Sequence, residues 1–182
     1  MLEGVVTPDG KTLVYRVDRP PPALRDIMAI QIGGAKRPVA ILATEFDELT
    51  PRVSPDGTWM AYLSTESGRD EVYVRSFPNG GGRTLVSTDG GREPLWSRDG
   101  KLIFYRRDEV IFRATMALGS EALVTRRDTV VKGTYATTRF HPQYDVAPDG
   151  RLLVLESVER GMSATIVLNW GGALLARLGP VR

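Results

Sequence analysis

Four Asp-Gly pairs are the most regular chemical feature of the sequence. They are Asp9-Gly10, Asp56-Gly57, Asp99-Gly100 and Asp149-Gly150, and the aspartates are 47, 43 and 50 residues apart. Carboxylates gathered at one place could bind a divalent cation. The pairs fit turn chemistry better, because aspartate accepts nearby backbone amides and glycine adopts the positive φ that closes a tight turn. We interpret all eight residues as structural turns and expect no metal site and no cofactor.

His141 is the only histidine in the chain, so it is the one residue around which a Ser-His-Asp triad could be built. The Gly-x-Ser-x-Gly motif, which presents a nucleophilic serine on a strained turn, does not occur in the sequence. We therefore expect no catalytic residues and predict that the chain is not an enzyme.

The segment 126–143 is the strongest candidate for a binding site, and it is predicted to be a long loop between the third and fourth Asp-Gly units. Its candidate partner-binding residues are Arg126, Arg127, Lys132, Tyr135, Arg139, Phe140 and His141. Cations beside aromatic rings suit an acidic or peptide partner. A loop that only spans a wide gap would explain the same residues, and both interpretations remain open at this point.

The composition excludes several classes of protein. The 182 residues include no cysteine, which excludes disulfides and thiolate metal cages. The net charge is +2 and the basic residues are scattered, so we expect no nucleic-acid partner. Because no apolar run approaches 18 residues, no membrane span is expected in this chain. Met1–Tyr15 has no basic start followed by an apolar stretch, so no signal peptide is expected either.

The residues that follow each Asp-Gly turn also repeat. The third residue after the glycine is Leu13, Met60, Ile103 or Leu153, and the fifth is Tyr15, Tyr62, Tyr105 or Leu155. The residue between them is apolar as well, which is typical of a strand covered on both faces. Each turn is therefore predicted to join two antiparallel strands inside a stack of sheets.

Further strands follow in each unit. Third strands are predicted at 27–32, 72–77, 110–115 and 165–170, and fourth strands at 39–43, 84–87 and 122–125. Repeats of this length with four strands favour β-propeller blades over helical solenoids. The predicted fold is all-β, a partial or small propeller of about four four-stranded antiparallel blades, with a short helix or strand at 173–178. The domain is 1–182, with blades at about 1–45, 46–90, 91–130 and 140–182.

Two segments resemble the TolB-like and Trp-Asp-repeat-like propeller unit. Pro51–Gly57, followed by Trp59–Tyr62 and Glu71–Val74, carries the resemblance, and Pro94–Gly100 repeats it. The last unit, Tyr144–Arg151, is similar to the final blade of propellers at the C-terminus of bacterial serine/threonine protein kinases. This resemblance implies a sensory or protein-interaction part of a larger bacterial signalling protein, which would be extracytoplasmic if the parent is membrane-anchored.

The resemblance leaves other functions and arrangements open. The alternatives are an accessory propeller of a prolyl-oligopeptidase-like peptidase and a TolB-type periplasmic interaction protein. In each case we expect a protein or small ligand on a propeller rim. A fragment of a larger ring is favoured over a closed four-blade ring, and exposed faces of the terminal blades could support self-association.

Overall fold

The computed structural model describes residues 3–20, 24–34, 37–136, 138–158 and 161–166, and every regular element in them is a β-strand. Consecutive strands form four antiparallel sheets, here called blades 1 to 4. Blade 1 contains β1 (Gly4–Val6), β2 (Thr12–Asp18), β3 (Arg25–Gln31) and β4 (Val39–Leu42). Blade 2 contains β5 (Glu48–Val53), β6 (Trp59–Ser64), β7 (Glu71–Ser76) and β8 (Arg83–Leu85).

The other two blades follow the same order of strands. Blade 3 contains β9 (Arg92–Trp96), β10 (Leu102–Arg107), β11 (Val110–Leu118) and β12 (Ala122–Lys132). Blade 4 contains β13 (Tyr144–Val146), β14 (Leu152–Val158) and β15 (Gly161–Ile166). The all-β prediction, with one antiparallel sheet for each Asp-Gly unit, is confirmed.

Apolar residues of neighbouring blades form three cores. Val14 and Ile27 of blade 1 pack with Met60 and Tyr62 of blade 2. Trp59 and Ala61, which point to the other face of β6, pack with blade 3. The core between blades 3 and 4 contains Phe104, Ile111, Tyr144, Leu152 and Val154. Because side chains alternate along a strand, each of the two middle blades contributes to a core on both of its faces.

The Asp-Gly turns have one repeated geometry. In each turn the aspartate Oδ1 accepts the main-chain amide two residues later at 3.1 Å, from Lys11, Thr58, Lys101 and Arg151 respectively. The glycines have φ between 71° and 82°. In the first three turns a hydroxyl from Thr7, Ser54 or Ser97 donates to the aspartate and accepts the first amide of the next strand. These contacts determine where each hairpin closes.

The fourth turn has Ala147 in place of the serine or threonine, and its hairpin closes one residue earlier. Six residues separate the pair Val6 and Leu13, whereas five separate Val146 and Leu152. A shift of one residue exchanges the two faces of a strand. Leu152 and Val154 therefore face blade 3, and Leu153 is exposed. The equivalence of Leu153 with Met60 that the repeat suggests does not hold in the structure.

Two strand predictions need correction. The fourth strand of blade 3 does not end at Thr125, because β12 continues to Lys132 and pairs with β11 along its whole length. The charged residues 126–128 suggested a loop, but in the structure Arg126 and Arg127 are exposed and Asp128 is half-buried on this outermost strand. The third strand of blade 4 begins at Gly161, which pairs with Val158, and not at Thr165. The remainder of the predicted strand, 167–170, lies outside the described residues. The predicted C-terminal element at 173–178 lies outside the described residues.

We predict that Asp56→Ala lowers the free energy of unfolding by about 1 kcal/mol, since Asp56 accepts hydrogen bonds from Ser54 and from both the amide and the hydroxyl of Thr58. The matched control is Asp149→Ala, where only Arg151 is lost as a partner. Urea unfolding measures both variants. Equal losses would show that the hydroxyl contacts contribute nothing.

A second prediction concerns acid stability. The hydrogen bond from Ser97, together with the Lys101 amide, lowers the pKa of Asp99 below its ordinary value of 3.8. A lowered pKa stabilises the folded state above the unfolded value, and this stabilisation is lost as the pH falls through the folded value. We expect Asp9→Asn/Asp99→Asn to lose less stability than the wild type between about pH 4 and pH 2. Thermal unfolding across this range is the measurement, and parallel curves for the two proteins would contradict the prediction.

Candidate functional site

Two opposite rims of the stack differ in chemistry. One rim carries the four Asp-Gly turns, and each turn aspartate is bonded within its own turn. The other rim, which we call the charged rim, carries the hairpins between second and third strands and the connections between blades. Buried or half-buried acids and arginines concentrate there, including Glu3, Arg16, Arg25, Asp47, Asp70, Glu71, Glu93 and Arg106.

Buried glutamates hold the connections between blades at the charged rim. Glu71 accepts hydrogen bonds from the Ser87 hydroxyl, from the Gly90 amide at 2.7 Å and from Arg69 at 3.0 Å. Glu93 accepts the Gln143 amide at 2.9 Å, and its carbonyl accepts the Tyr144 hydroxyl at 2.6 Å. These bonds fix the chain where it passes from blade 2 to blade 3 and from blade 3 to blade 4.

Asp47 and Asp70 are the centre of an ion-pair network on this rim. Each is only 9% exposed at its side chain. Asp47 pairs with Arg25 at 3.1 Å, and Asp70 pairs with Arg92 at 2.8 Å. A second cation reaches both aspartates: Arg139 lies 2.8 Å from Asp70 and 3.3 Å from Asp47. The network therefore joins blades 1, 2 and 3 with the segment that precedes blade 4.

Residues 138–142, which we call the tongue, cross from blade 4 to blades 1 and 2. The chain on both sides of the tongue is attached to blade 4, because the Ala136 amide donates to the Leu155 carbonyl at 2.8 Å and the Leu155 amide donates to the Gln143 carbonyl at 3.0 Å. Arg106 also holds the Tyr135 and Ala136 carbonyls, at 3.0 and 2.7 Å. The base of the tongue is thus fixed to blade 4, and its tip lies over blades 1 and 2.

The tip of the tongue contacts blades 1 and 2 through three consecutive side chains. Arg139 binds the two aspartates. The ring of Phe140 lies 4.7 Å from the Arg16 guanidinium and 5.4 Å from that of Arg25, both within cation–π range. His141 Nδ1 lies 4.0 Å from Glu3. Burial raises the pKa of Glu3, and this effect outweighs the opposing influence of the nearby cations, of which Arg52 contributes most.

The structure separates the seven predicted partner-binding residues into two groups. Arg139, Phe140 and His141 are already engaged with blades 1 and 2, and Tyr135 packs at the edge of the core between blades 3 and 4. Arg126, Arg127 and Lys132 belong to β12 and not to a loop. Arg127 donates to the Val86 carbonyl of the blade 2–3 connection at 2.7 Å, and Arg126 pairs with Asp128 at the surface. The seven residues therefore do not form one binding surface.

The carboxylates of the rim were missed by reasoning from sequence. An acid stands directly before each of the third strands predicted at 27–32, 72–77 and 110–115, as Asp26, Glu71 and Glu109, and this repetition was a usable signal. Asp47 and Asp70 carry no such signal. Their role depends on Arg139, which is 92 and 69 positions away in the chain.

A cleft of about 490 Å³ opens on the charged rim between blades 2 and 3. Four arginines line it: Arg69, Arg92 and Arg107 pair with Asp70, Glu71 or Asp89, whereas Arg106 donates only to main-chain carbonyls. Asp108 and Glu109 are exposed at its edge, and no cation among the described residues pairs with either carboxylate. At its exposed edge the cleft therefore offers unpaired negative charge, while its one arginine without an acidic partner, Arg106, is buried.

Asp89 and Asp108, which line the cleft, have φ of 62° and 52°. Positive φ is uncommon for residues other than glycine and is found more often at functional sites. The connections on both sides of the cleft are therefore held in specific, less favourable conformations.

The described residues show two further negative findings. No group of three or more histidine, cysteine, aspartate or glutamate side chains among them is arranged to hold a metal ion. In the same part of the chain, no helix has the length and apolar character needed to cross a bilayer.

The outer faces of blades 1 and 4 each expose an apolar residue. Val6 is 49% exposed and Leu153 38% exposed, and both point away from the neighbouring blade. Self-association through these faces stays a prediction, which light scattering would measure.

Comparison with known proteins identifies the architecture. No protein-family model and no curated protein sequence matches the chain. Among solved structures, a puromycin-hydrolyzing peptidase from Mycobacterium tuberculosis matches with a TM-score of 0.69 and 19% identity, over 93% of this chain and 30% of that chain. TolB from Acinetobacter baumannii matches with a TM-score of 0.62 and 18% identity, over 91% of this chain and 41% of that chain.

A prolyl endopeptidase matches with a TM-score of 0.55 and 14% identity, over 89% of this chain and 28% of that chain. At these identities the likeness shows the fold alone. The fold is a small or partial β-propeller, as the repeats predicted, and TolB is among its structural neighbours, in line with the resemblance seen in the sequence. The chain spans less than half the length of each of these three proteins.

We predict a coupling of about 1 kcal/mol between Arg139 and Asp70 in a double-mutant cycle with Arg139→Ala and Asp70→Asn. Both Nε and Nη2 of Arg139 reach the carboxylate, which is mostly buried, and such paired contacts are stronger than exposed ones. Unfolding in urea measures each corner of the cycle.

The control cycle uses Arg126 and Asp128, whose side-chain contact of 2.7 Å is equally short but lies at the surface, with Arg126 70% exposed. Its coupling should be within about 0.5 kcal/mol of zero. A coupling for Arg139 and Asp70 no larger than that of the control would contradict the burial argument.

Proposed function

We propose that this chain is a non-enzymatic binding module that presents its charged rim to a basic protein or peptide. The observation that carries the proposal is the pair of unpaired carboxylates, Asp108 and Glu109, exposed at the edge of a cleft in which three of the four arginines are paired with acids. Charged groups on a fixed rim attract and orient an oppositely charged partner at little entropic cost.

The structure favours a partner whose charge is opposite to the charge that the sequence suggested. The basic residues of 126–143 suggested an acidic or peptide partner. In the structure Arg139 is neutralised by two aspartates and Arg126 by Asp128, Arg127 donates to main-chain carbonyls, and only Lys132 of these cations is exposed without a side-chain partner among the described residues. The acids at the cleft edge have no such partners among the described residues, so a basic partner has the better electrostatic complement.

A second part of the proposal concerns the larger protein to which this chain would belong. We propose that the chain is the sensory or protein-interaction part of a larger bacterial signalling protein, as its resemblance to kinase-associated propellers implies. A second candidate is an accessory propeller next to a peptidase domain, which is favoured by the likeness to two peptidases. Neighbouring coding sequence distinguishes them: a kinase and an apolar helix upstream support the first, and a hydrolase domain downstream supports the second.

The test is binding of short synthetic peptides to the purified chain, measured by fluorescence anisotropy. We expect a lysine-rich peptide to bind, an acidic peptide of equal length not to bind, and the affinity to fall as salt is added. Asp108→Asn/Glu109→Gln should weaken binding by about ten-fold, since each rim charge contributes up to roughly 1 kcal/mol. The matched control is Asp9→Asn on the opposite rim, which should bind as the wild type does.

Two outcomes would contradict the proposal. One is equal binding of the lysine-rich peptide by the cleft variant and the wild type. The other is turnover of peptide or nucleotide substrates by the purified chain that a single substitution in the chain removes.

A further inference from the structure

The side chains of blades 1 and 2 that contact the tip of the tongue form a site, here called the socket, that no sequence pattern indicated. We propose that this socket, formed by Asp47, Asp70, Arg16 and Arg25, is a binding site for an arginine-aromatic segment of a partner protein, and that the tongue is its internal occupant. The inference deepens the proposed function and rests on it, because it names the partner chemistry for one part of the charged rim.

The acidic half of the socket selects a guanidinium group. Arg139 reaches Asp70 through Nε at 3.1 and 3.2 Å and through Nη2 at 2.8 Å, while Nη2 also lies 3.3 Å from Asp47. Only a planar fork of donors makes contacts from two nitrogens to one carboxylate and also reaches a second carboxylate. Lysine, with a single nitrogen, cannot reproduce this pattern.

The other half of the socket selects an aromatic ring. Phe140 lies next to two guanidinium groups, those of Arg16 and Arg25, which interact with the electron-rich faces of aromatic rings. An aliphatic side chain would fill the same space without this attraction. The two halves together therefore prefer arginine followed directly by an aromatic residue.

Each of the four socket residues also has a partner outside the tongue. Arg16 is held by Asp18 at 2.9 Å, Arg25 by Asp47 at 3.1 Å, and Asp70 by Arg92 at 2.8 Å. All of these contacts lie within blades 1 to 3. A site that is ordered before its ligand arrives loses little entropy on binding.

The tongue is attached to the socket by side chains alone. Among the described residues, 138–142 donate and accept no main-chain hydrogen bond with blades 1 or 2, and the Thr138 hydroxyl bonds only within the tongue. Arg139 remains 31% exposed at its side chain. A partner segment that offers the same two side chains can therefore replace the tip while the base stays on blade 4.

The experiment uses the full chain and the blocked synthetic pentapeptide Thr-Arg-Phe-His-Pro, which is the sequence of residues 138–142. The variant Arg139→Ser/Phe140→Ser empties the socket, and calorimetry measures peptide binding. We expect this variant to bind the peptide at least about ten-fold more tightly than the wild type, whose socket is occupied for most of the time. Arg126→Ser, which removes an exposed arginine from another surface, should bind as weakly as the wild type.

Two further controls test the chemistry. Peptides with lysine in place of arginine, or alanine in place of phenylalanine, should bind the emptied variant at least about ten-fold more weakly. Adding Asp70→Asn to the emptied variant should reduce binding of the original peptide by a similar factor.

Two results would overturn the inference. The first is an emptied variant that is folded, as cooperative unfolding would show, but binds the pentapeptide no more tightly than it binds the lysine analogue. The second is loss of folding in both the emptied variant and the milder Arg139→Lys, which would make the tongue a structural clasp. If either occurs while the lysine-rich peptide still binds at Asp108 and Glu109, the proposed function survives and only the socket is rejected.

Discussion

Burial of apolar side chains on both faces of the sheets is the constraint on which the rest of the structure depends. Every residue of β6 is buried, with Met60 and Tyr62 facing blade 1 and Trp59 and Ala61 facing blade 3. A four-stranded sheet cannot cover both of its own faces, so each blade is stable only next to another. Stacking in turn leaves the hairpins and connections at two rims, and these rims are the places where polar side chains can act.

Polar groups near the core find hydrogen-bond partners in different ways on the two rims. On the rim that carries the four Asp-Gly turns, here called the turn rim, the aspartate of each hairpin accepts an amide of the same hairpin. At the charged rim the partners come from distant parts of the chain, as when Glu93 of blade 3 accepts the Gln143 amide. Buried carboxylates are costly unless they are paired. Asp70 meets this need with two arginines from different blades, so the same interaction that neutralises it also ties the stack together.

This division explains why the turn rim is structural and the charged rim is the candidate site. The turn aspartates have used their acceptor capacity on their own hairpins. Asp108 and Glu109 at the edge of the cleft are exposed to solvent, whereas Asp47 and Asp70 of the socket are mostly buried and bind Arg139 of the tongue. The tongue shows that this rim accepts a bent segment of chain with arginine and phenylalanine at its tip. A long segment that seemed to be a free loop is thus evidence of what the rim binds.

The sequence by itself determined the number of units, their strands and the turns between them, because local signals encode all three. Asp56-Gly57 and its equivalents specify hairpins through contacts within six residues, and apolar alternation specifies which strands are covered. The end of β12, the shifted hairpin at Ala147 and the engagement of Arg139 were decided only by the tertiary structure. Each depends on a partner strand or carboxylate far away in the chain, such as β11 for β12 and Asp70 for Arg139. The sequence gives the charge of each side chain, but whether that charge is paired depends on which distant residues the fold places next to it.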